Sequence, residues 1–448
     1  MSLKGLWAAQ PIHYSDPMQV TPARLRLLAC FFCLSVFFAT CETFAAADLR
    51  AGFARSDITP KDPVMLAGYA SRKELSRAVH DPLYARAVAF EENPHRLVLV
   101  SIDNCGFYNA TAEPLRRAIL AATKLQPSEL FLCATHTHSA PLLALDAEKT
   151  HSNNVAYTQW LETKLVEVTR QAIAHLAPMT ISVGSGASPV GANRREVVAD
   201  KEGKQKVILG RNPVLPIDRE VQVLKLMRPG EEKVASLLFV GNTHSTSLGG
   251  ANNSVSGDVH GLAAQFLENY YGPEFTAAEF AGASGNIDPW YRVLSGFRTN
   301  NGWIPEPVLL GTLLGEEVAH VIEKTGATMT NPIIKTDLKV ITVPGKNGDD
   351  ESTNASTASI NITVARLGDA AFVGWGGEVF NEIGKTVKEK SPFAKTFILT
   401  HCNGAAGYLP LSSSYAEGGY EVQSSHFAPG ADAALIRETL KMLESLKQ

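Results

Sequence analysis

Five short apolar runs in this chain stop abruptly at side chains able to bind a metal or carry a proton. Leu97–Ile102 ends at Asp103, Leu130–Ala134 at His136 and His138, and Leu237–Gly241 at Asn242, Thr243 and His244. Ala371–Gly377 ends at Glu378, and Phe397–Thr400 leads through His401 and Asn403 to Tyr408. Apolar runs this short, punctuated by Gly, Asn, Asp and Pro, read as buried strands. Pro114–Leu125, Tyr157–Leu176, Val259–Tyr271, Pro307–Lys324, a segment from Val379 and Asp432–Leu446 carry helical spacing between and after them. Hairpins intervene, among them Tyr84–Glu91 with Arg96–Ile102 and Val221–Met227 with Val234–Val240. The expected fold class is therefore α/β, with a mixed sheet core and flanking helices. No repeat and no linker divides residues 48–448, which are expected to form one large domain.

Local chemistry adds detail. Asp258 stands where it would cap the Val259–Tyr271 helix. Glu378 follows two glycines and opens the segment read as a helix from Val379, so its plain reading is a partner for the helix dipole. Gly345–Thr357 is polar and acidic, the composition of a mobile surface loop.

Residues 1–47 have another character. Arg24 and Arg26 precede the apolar run Leu27–Phe38, and Ala45-Ala46-Ala47 follows. This is the layout of a secretory signal peptide, and the run is too short to span a bilayer comfortably. Export to a periplasm or the cell exterior is expected, with Met18 as the start. Lipoprotein anchoring at Cys41 is the lesser alternative, because Phe38-Ala39-Thr40 makes a poor lipobox. Cleavage would leave Cys105, Cys133 and Cys402, too widely spaced to form a disulfide framework, with Cys105 and Cys133 expected as small buried hydrophobes beside apolar strands.

The 41 basic and 45 acidic side chains give a net charge of −4, which argues against a general nucleic-acid binder. No protein partner is implied. The polar strand ends point to small-molecule chemistry, because ligands of open α/β folds sit beyond the carboxyl ends of strands. His136 and His138 would share a face if their strand persisted. His136 and His244 can supply nitrogen, and Glu378 oxygen, to a zinc ion that acidifies water. Tyr408 can add a phenolate ligand or donate a hydrogen bond to an oxyanion. His138 and Asp103 would orient ligands or move protons. Taken singly, each of these residues also has a plain structural role open to it.

These residues lie in an ordered set of motifs. Ala51-Gly52 and Asp57-Ile58-Thr59 are followed by Ala134-Thr-His-Thr-His-Ser-Ala-Pro141, Asn193-Arg194 and His244-Ser-Thr-Ser-Leu-Gly249. Ser256-Gly257-Asp258, Gly377-Glu378 and Gly407-Tyr408 complete the order. In this the chain resembles the catalytic domain of the neutral/alkaline, non-lysosomal ceramidases. The resemblance implies a zinc amidohydrolase that splits an N-acyl amide of ceramide type with zinc-activated water, and the leader implies its export. It implies His136, His244, Glu378 and Tyr408 as zinc ligands, with His138, Asp103 and Arg194 around metal and substrate. A lipid amide substrate also leaves room for transient contact with a membrane surface.

Two departures stand out. The family's Gly-Asp-Val-Ser-Pro-Asn stretch is here Gly285-Asn286-Ile287-Asp288-Pro289-Trp290, with Asp288 in place of the serine assigned a catalytic part. Asp288 then becomes a candidate acid, base or pocket-shaping group. One helix follows Pro429-Gly430, so no C-terminal β-sandwich is expected. Two alternatives stay open: a zinc hydrolase of a soluble amide or ester, and a secreted binding protein without turnover.

Overall fold

The alternation of short strands and helices builds one unit three times. The computed structural model describes residues 49–291, 305–326, 328–329, 333–346 and 356–448. The expected leader and most of the Gly345–Thr357 loop lie outside the described residues.

The first unit contains β1 (Arg50–Asp57), β2 (Tyr84–Glu92), β3 (His95–Ile102), α1 (Ala112–Thr123), β4 (Leu130–Ala134) and α2 (Ser152–Ala174). The second contains β5 (Thr180–Ala187), β6 (Glu220–Met227), β7 (Val234–Gly241), α3 (Asp258–Tyr271), β8 (Thr276–Ala281) and α4 (Pro305–Lys324). The third contains β9 (Ile334–Pro344), β10 (Thr357–Leu367), β11 (Ala370–Trp375), α5 (Asn381–Lys390), β12 (Lys395–Leu399) and α6 (Ala431–Lys447). In each, three antiparallel strands are followed by a helix and a fourth strand parallel to the third. The physical cause is connection length: a tight turn can join antiparallel neighbours, whereas a parallel pair needs a crossover that a helix supplies. The absence of repeat expected from the sequence is thus corrected at the level of topology.

The three sheets enclose a common core. Along β4, Phe131 and Cys133 face that core, while Leu130, Leu132 and Ala134 face α1 and α2. Leu238 and Val240 of β7 point inward, and Leu237 and Phe239 point toward α3 and α4. On β12, Phe397 and Leu399 point inward and Ile398 outward. Burial on both faces explains why these strands read as unbroken apolar runs. The edge strands β4, β8 and β12 meet at their carboxyl ends, where Thr400 N donates to Ala281 O at 2.8 Å and Ala134 N to His401 O at 3.3 Å. The strand ends therefore converge.

A buried ion cluster ties the first unit to the second. Arg86 of β2 donates from Nε to Glu268 of α3 at 2.8 Å and from Nη1 to Asp103 at 3.0 Å. Tyr84 N donates to the same Asp103 oxygen at 2.8 Å. Arg86 and Tyr84 thus hold one oxygen of Asp103, which makes no described hydrogen bond to His136, His244 or Glu378. Arg86→Ala would strand the buried Asp103 carboxylate, while Glu268 would keep Arg55 at 2.7 Å, and is expected to cost about 3–5 kcal/mol, readable as a lowered denaturant midpoint.

Two local expectations also change. Gly257, not Asp258, holds the cap position of α3. The Asp258 carboxylate instead accepts from Ser247 N at 3.2 Å and Leu248 N at 3.1 Å, fixing the loop after His244. Glu378 does not open a helix: Glu378–Val379 pairs in parallel with Tyr408–Leu409, and α5 begins at Asn381. A dipole partner is thereby excluded as its role.

Candidate metal centre

His136 reaches the convergence point through a break in its strand. β4 ends at Ala134, and His136 sits at φ 64°, a conformation uncommon for residues other than glycine. Strand alternation is therefore not what brings His136 and His138 together; the turn is. Their Nε2 atoms lie 3.1 Å apart. Gly68, at φ 93°, permits close packing on His138, since a Cβ there would stand 2.4 Å from the ring.

His244, beyond the end of β7, and Glu378, beyond β11, complete the centre. Glu378 Oε2 lies 3.4 Å from His136 Nε2 and 3.5 Å from His244 Nε2. It has no hydrogen-bond partner although buried. The far nitrogens are already committed: His136 Nδ1 lies 2.6 Å from Cys105 O, and His244 Nδ1 lies 2.8 Å from Ser284 O and 3.0 Å from Ile287 O. Such contacts fix both Nδ1 atoms as donors and leave Nε2 as the free lone pair. Two imidazoles and one carboxylate with their lone pairs facing each other form a donor set that fits zinc. The ligand atoms of His136, His244 and Glu378 fall within 4.8 Å of one another. Cys105, His136 and His138 also cluster. However, the Cys105 thiol approaches the Nδ1 edge of His136 at 4.0 Å, while His138 approaches the Nε2 edge.

Charge follows this geometry. Burial disfavours a charged His136, but the Glu378 carboxylate and then Cys105 outweigh it and push its pKa up to about 10, so a metal binding at Nε2 would displace a proton there. Burial, Arg194 and His136 push His244 down to about 4. Burial and the two other histidines hold His138 well below the usual imidazole range, so it is neutral at neutral pH. Burial and Glu378 hold the Tyr408 phenol well above its ordinary value. Its hydroxyl lies 3.5 Å from His244 Nε2.

Arg194 and Asp288 form the wall beside Tyr408. Arg194 donates to Asp288 at 3.1 Å and to Glu421 at 2.7 Å, with its guanidinium 5.4 Å from the Tyr408 ring centroid. Its Nη2 is buried without a hydrogen-bond partner, a donor available to a substrate oxygen. Asp288 also receives Arg211 at 3.3 Å. With both oxygens held by arginines, Asp288 is built to fix Arg194 rather than to exchange protons.

The sequence model of neutral/alkaline non-lysosomal ceramidases, N-terminal region, matches residues 49–288, more than half of the chain. The chain belongs to this ceramidase family. It is 26% identical over 240 residues to the neutral ceramidase of Oryza sativa subsp. japonica, covering 50% of this chain and 29% of that protein. It is 27% identical over 270 residues to that of Mycobacterium tuberculosis, covering 54% and 40%. The chain thus spans well under half the length of these ceramidases. The crystal structure of neutral ceramidase from Pseudomonas aeruginosa superposes with a TM-score of 0.73 at 18% identity, covering 90% of this chain and 75% of that one. A ceramidase complexed with C2 matches at a TM-score of 0.72 and 17% identity. These likenesses agree on the mixed α/β fold.

Three groups at the centre had no role in the sequence reading. His401, at φ 51°, stacks on His136 with centroids 3.9 Å apart; its place at a strand end was the available signal. Glu421 bridges Arg194 and Arg195, and nothing local announces it. Tyr108 donates to Glu378 Oε1 at 3.3 Å, leaving Oε2 to face the histidines. Tyr108→Phe is expected to weaken zinc binding about 10–100-fold with the fold intact. Competition with a chelator reads this; an unchanged affinity would remove Tyr108 from the centre.

Proposed function

We propose that this chain is an exported, zinc-dependent amidohydrolase acting on an N-acyl amide of ceramide type. The observation that carries the reading is the buried, unpartnered Glu378 Oε2 between His136 Nε2 and His244 Nε2. His136, His244 and Glu378 would hold zinc, with the Tyr408 oxygen beside them. When bound, zinc supplies Lewis acidity to a carbonyl and acidifies water.

The chain's own residues supply the rest. Neutral His138 takes a proton from attacking water at one imidazole nitrogen and returns it to the leaving amine. The Tyr408 hydroxyl and Arg194 Nη2 donate to the oxygen on which negative charge develops. Glu421 and Asp288 keep Arg194 in place, so that charge stabilisation needs no rearrangement. A low dielectric strengthens each of these contacts. Family membership supports the amide substrate class, and Arg24, Arg26 and the Leu27–Phe38 run support export. A lipid amide would be drawn from a membrane surface during transient contact.

The test pairs elemental analysis with substrate release. Purified full-length protein should hold close to one zinc per chain and liberate fatty acid from N-acyl sphingoid lipids, and His138→Ala should keep the zinc while losing turnover. Protein purified in ample zinc yet carrying none would overturn the metal reading. Turnover of soluble N-acyl compounds alone would overturn the lipid substrate. Export is read separately, by fractionation and by the amino-terminal sequence of the mature chain.

A further inference from the structure

We infer that Cys133 and Cys402 form a disulfide, closing the central core directly beneath the metal centre. The two residues are 0–1% exposed and face one another across an antiparallel bridge between β4 and the segment after β12. The flanking bonds define the type of pair. Asn403 N donates to Leu132 O at 2.8 Å, and Ala134 N to His401 O at 3.3 Å. These bonds bracket Cys133 and Cys402 without joining them, which is the pattern of a non-hydrogen-bonded pair, the closer of the two antiparallel geometries. Such pairs hold Cα atoms about 4.5 Å apart, inside the roughly 4.4–6.8 Å that a disulfide spans. Directly opposed residues put their side chains on one face of the ladder, so both thiols enter the same core. Space is provided too: a Cβ on Gly374 would meet Cys402 Sγ at 2.5 Å, and glycine leaves that position open. Cys105 is not a competitor, since its thiol lies against His136 Nδ1 at 4.0 Å.

The bond would join β4, three residues before His136, to the residue after His401, whose ring stacks on His136. It would thus fix the relative position of two strand ends that meet at the centre. Formation is balanced by thiol–disulfide exchange. One thiol, as thiolate, attacks an oxidised disulfide such as glutathione disulfide and releases one thiol. The second cysteine then displaces the other half, so two protons and two electrons leave the chain and one external disulfide becomes two thiols. Burial requires this to occur while the core is still open. Export, proposed above, would supply the oxidising surroundings in the cell, and the test is arranged not to depend on it.

Full-length protein purified with reductant is equilibrated in glutathione redox buffers, at a denaturant concentration inside its unfolding transition. It is then returned to native conditions, quenched with acid, alkylated in denaturant and digested for mass spectrometry. The expected result is one cross-linked peptide pair carrying Cys133 and Cys402, lighter by two hydrogens than the two thiol peptides. Cys105 should be recovered separately from that pair. Cys133→Ser should abolish the cross-link and return Cys402 to the alkylated or glutathionylated pool. Cys133 and Cys402 recovered unpaired at every glutathione ratio, or joined to Cys105, would overturn the assignment. Absence of the bond from cell-derived protein, with the bond present in the buffers, would bear on export alone.

Discussion

Glu378→Gln is expected to leave a folded protein that no longer retains zinc. The substitution preserves shape but removes the charge facing His136 and His244, whose Nε2 atoms lie 3.4 and 3.5 Å from Glu378 Oε2. Partners that merely orient a ligand are worth about 10–100-fold in metal affinity. Loss of a ligand's charge should therefore exceed about 100-fold, seen as loss of zinc to a chelator that wild type resists. Circular dichroism separates this from unfolding. Full zinc occupancy in Glu378→Gln would place the ion elsewhere.

Asp288→Ser should destabilise the protein by about 3 kcal/mol, because it removes a carboxylate from between two arginines in a dry wall. Arg194 and Arg211 converge on Asp288, and Arg194 also bonds Glu421. Urea unfolding measures the effect. A second change, Arg211→Gln, should recover part of the loss, since residues in one ion network do not behave additively. An unchanged midpoint in Asp288→Ser would refute the clamp. The same variant addresses function: turnover gained only with serine present would favour a wild type that binds substrate without hydrolysing it.

Much of the fold was legible because burial on both faces writes itself into the residues. Leu130–Ala134 and Phe397–Leu399 are short apolar runs of the kind that a strand between a helix layer and a core requires. Other features were not local. Asp103 stands at a strand end as His136, His244 and Glu378 do, yet Arg86 and Glu268, distant in sequence, decide its setting. Tyr108 lies in a loop with no periodicity to mark it. The threefold topology escaped notice because a repeat of connections leaves side chains free to differ.

The opening pattern of strands ending on polar groups determined, by itself, the α/β class, the approximate element boundaries and the residue types available for chemistry. It did so because alternation, run length and turn residues are properties of neighbours along the chain. Tertiary structure alone decided which of those ends share a site. His136 and His138 converge through a positive-φ turn rather than a continued strand, and Cys133 meets Cys402 although 269 residues separate them. Both outcomes depend on how three sheets close around one core, which fixes distances that no local stretch of sequence contains.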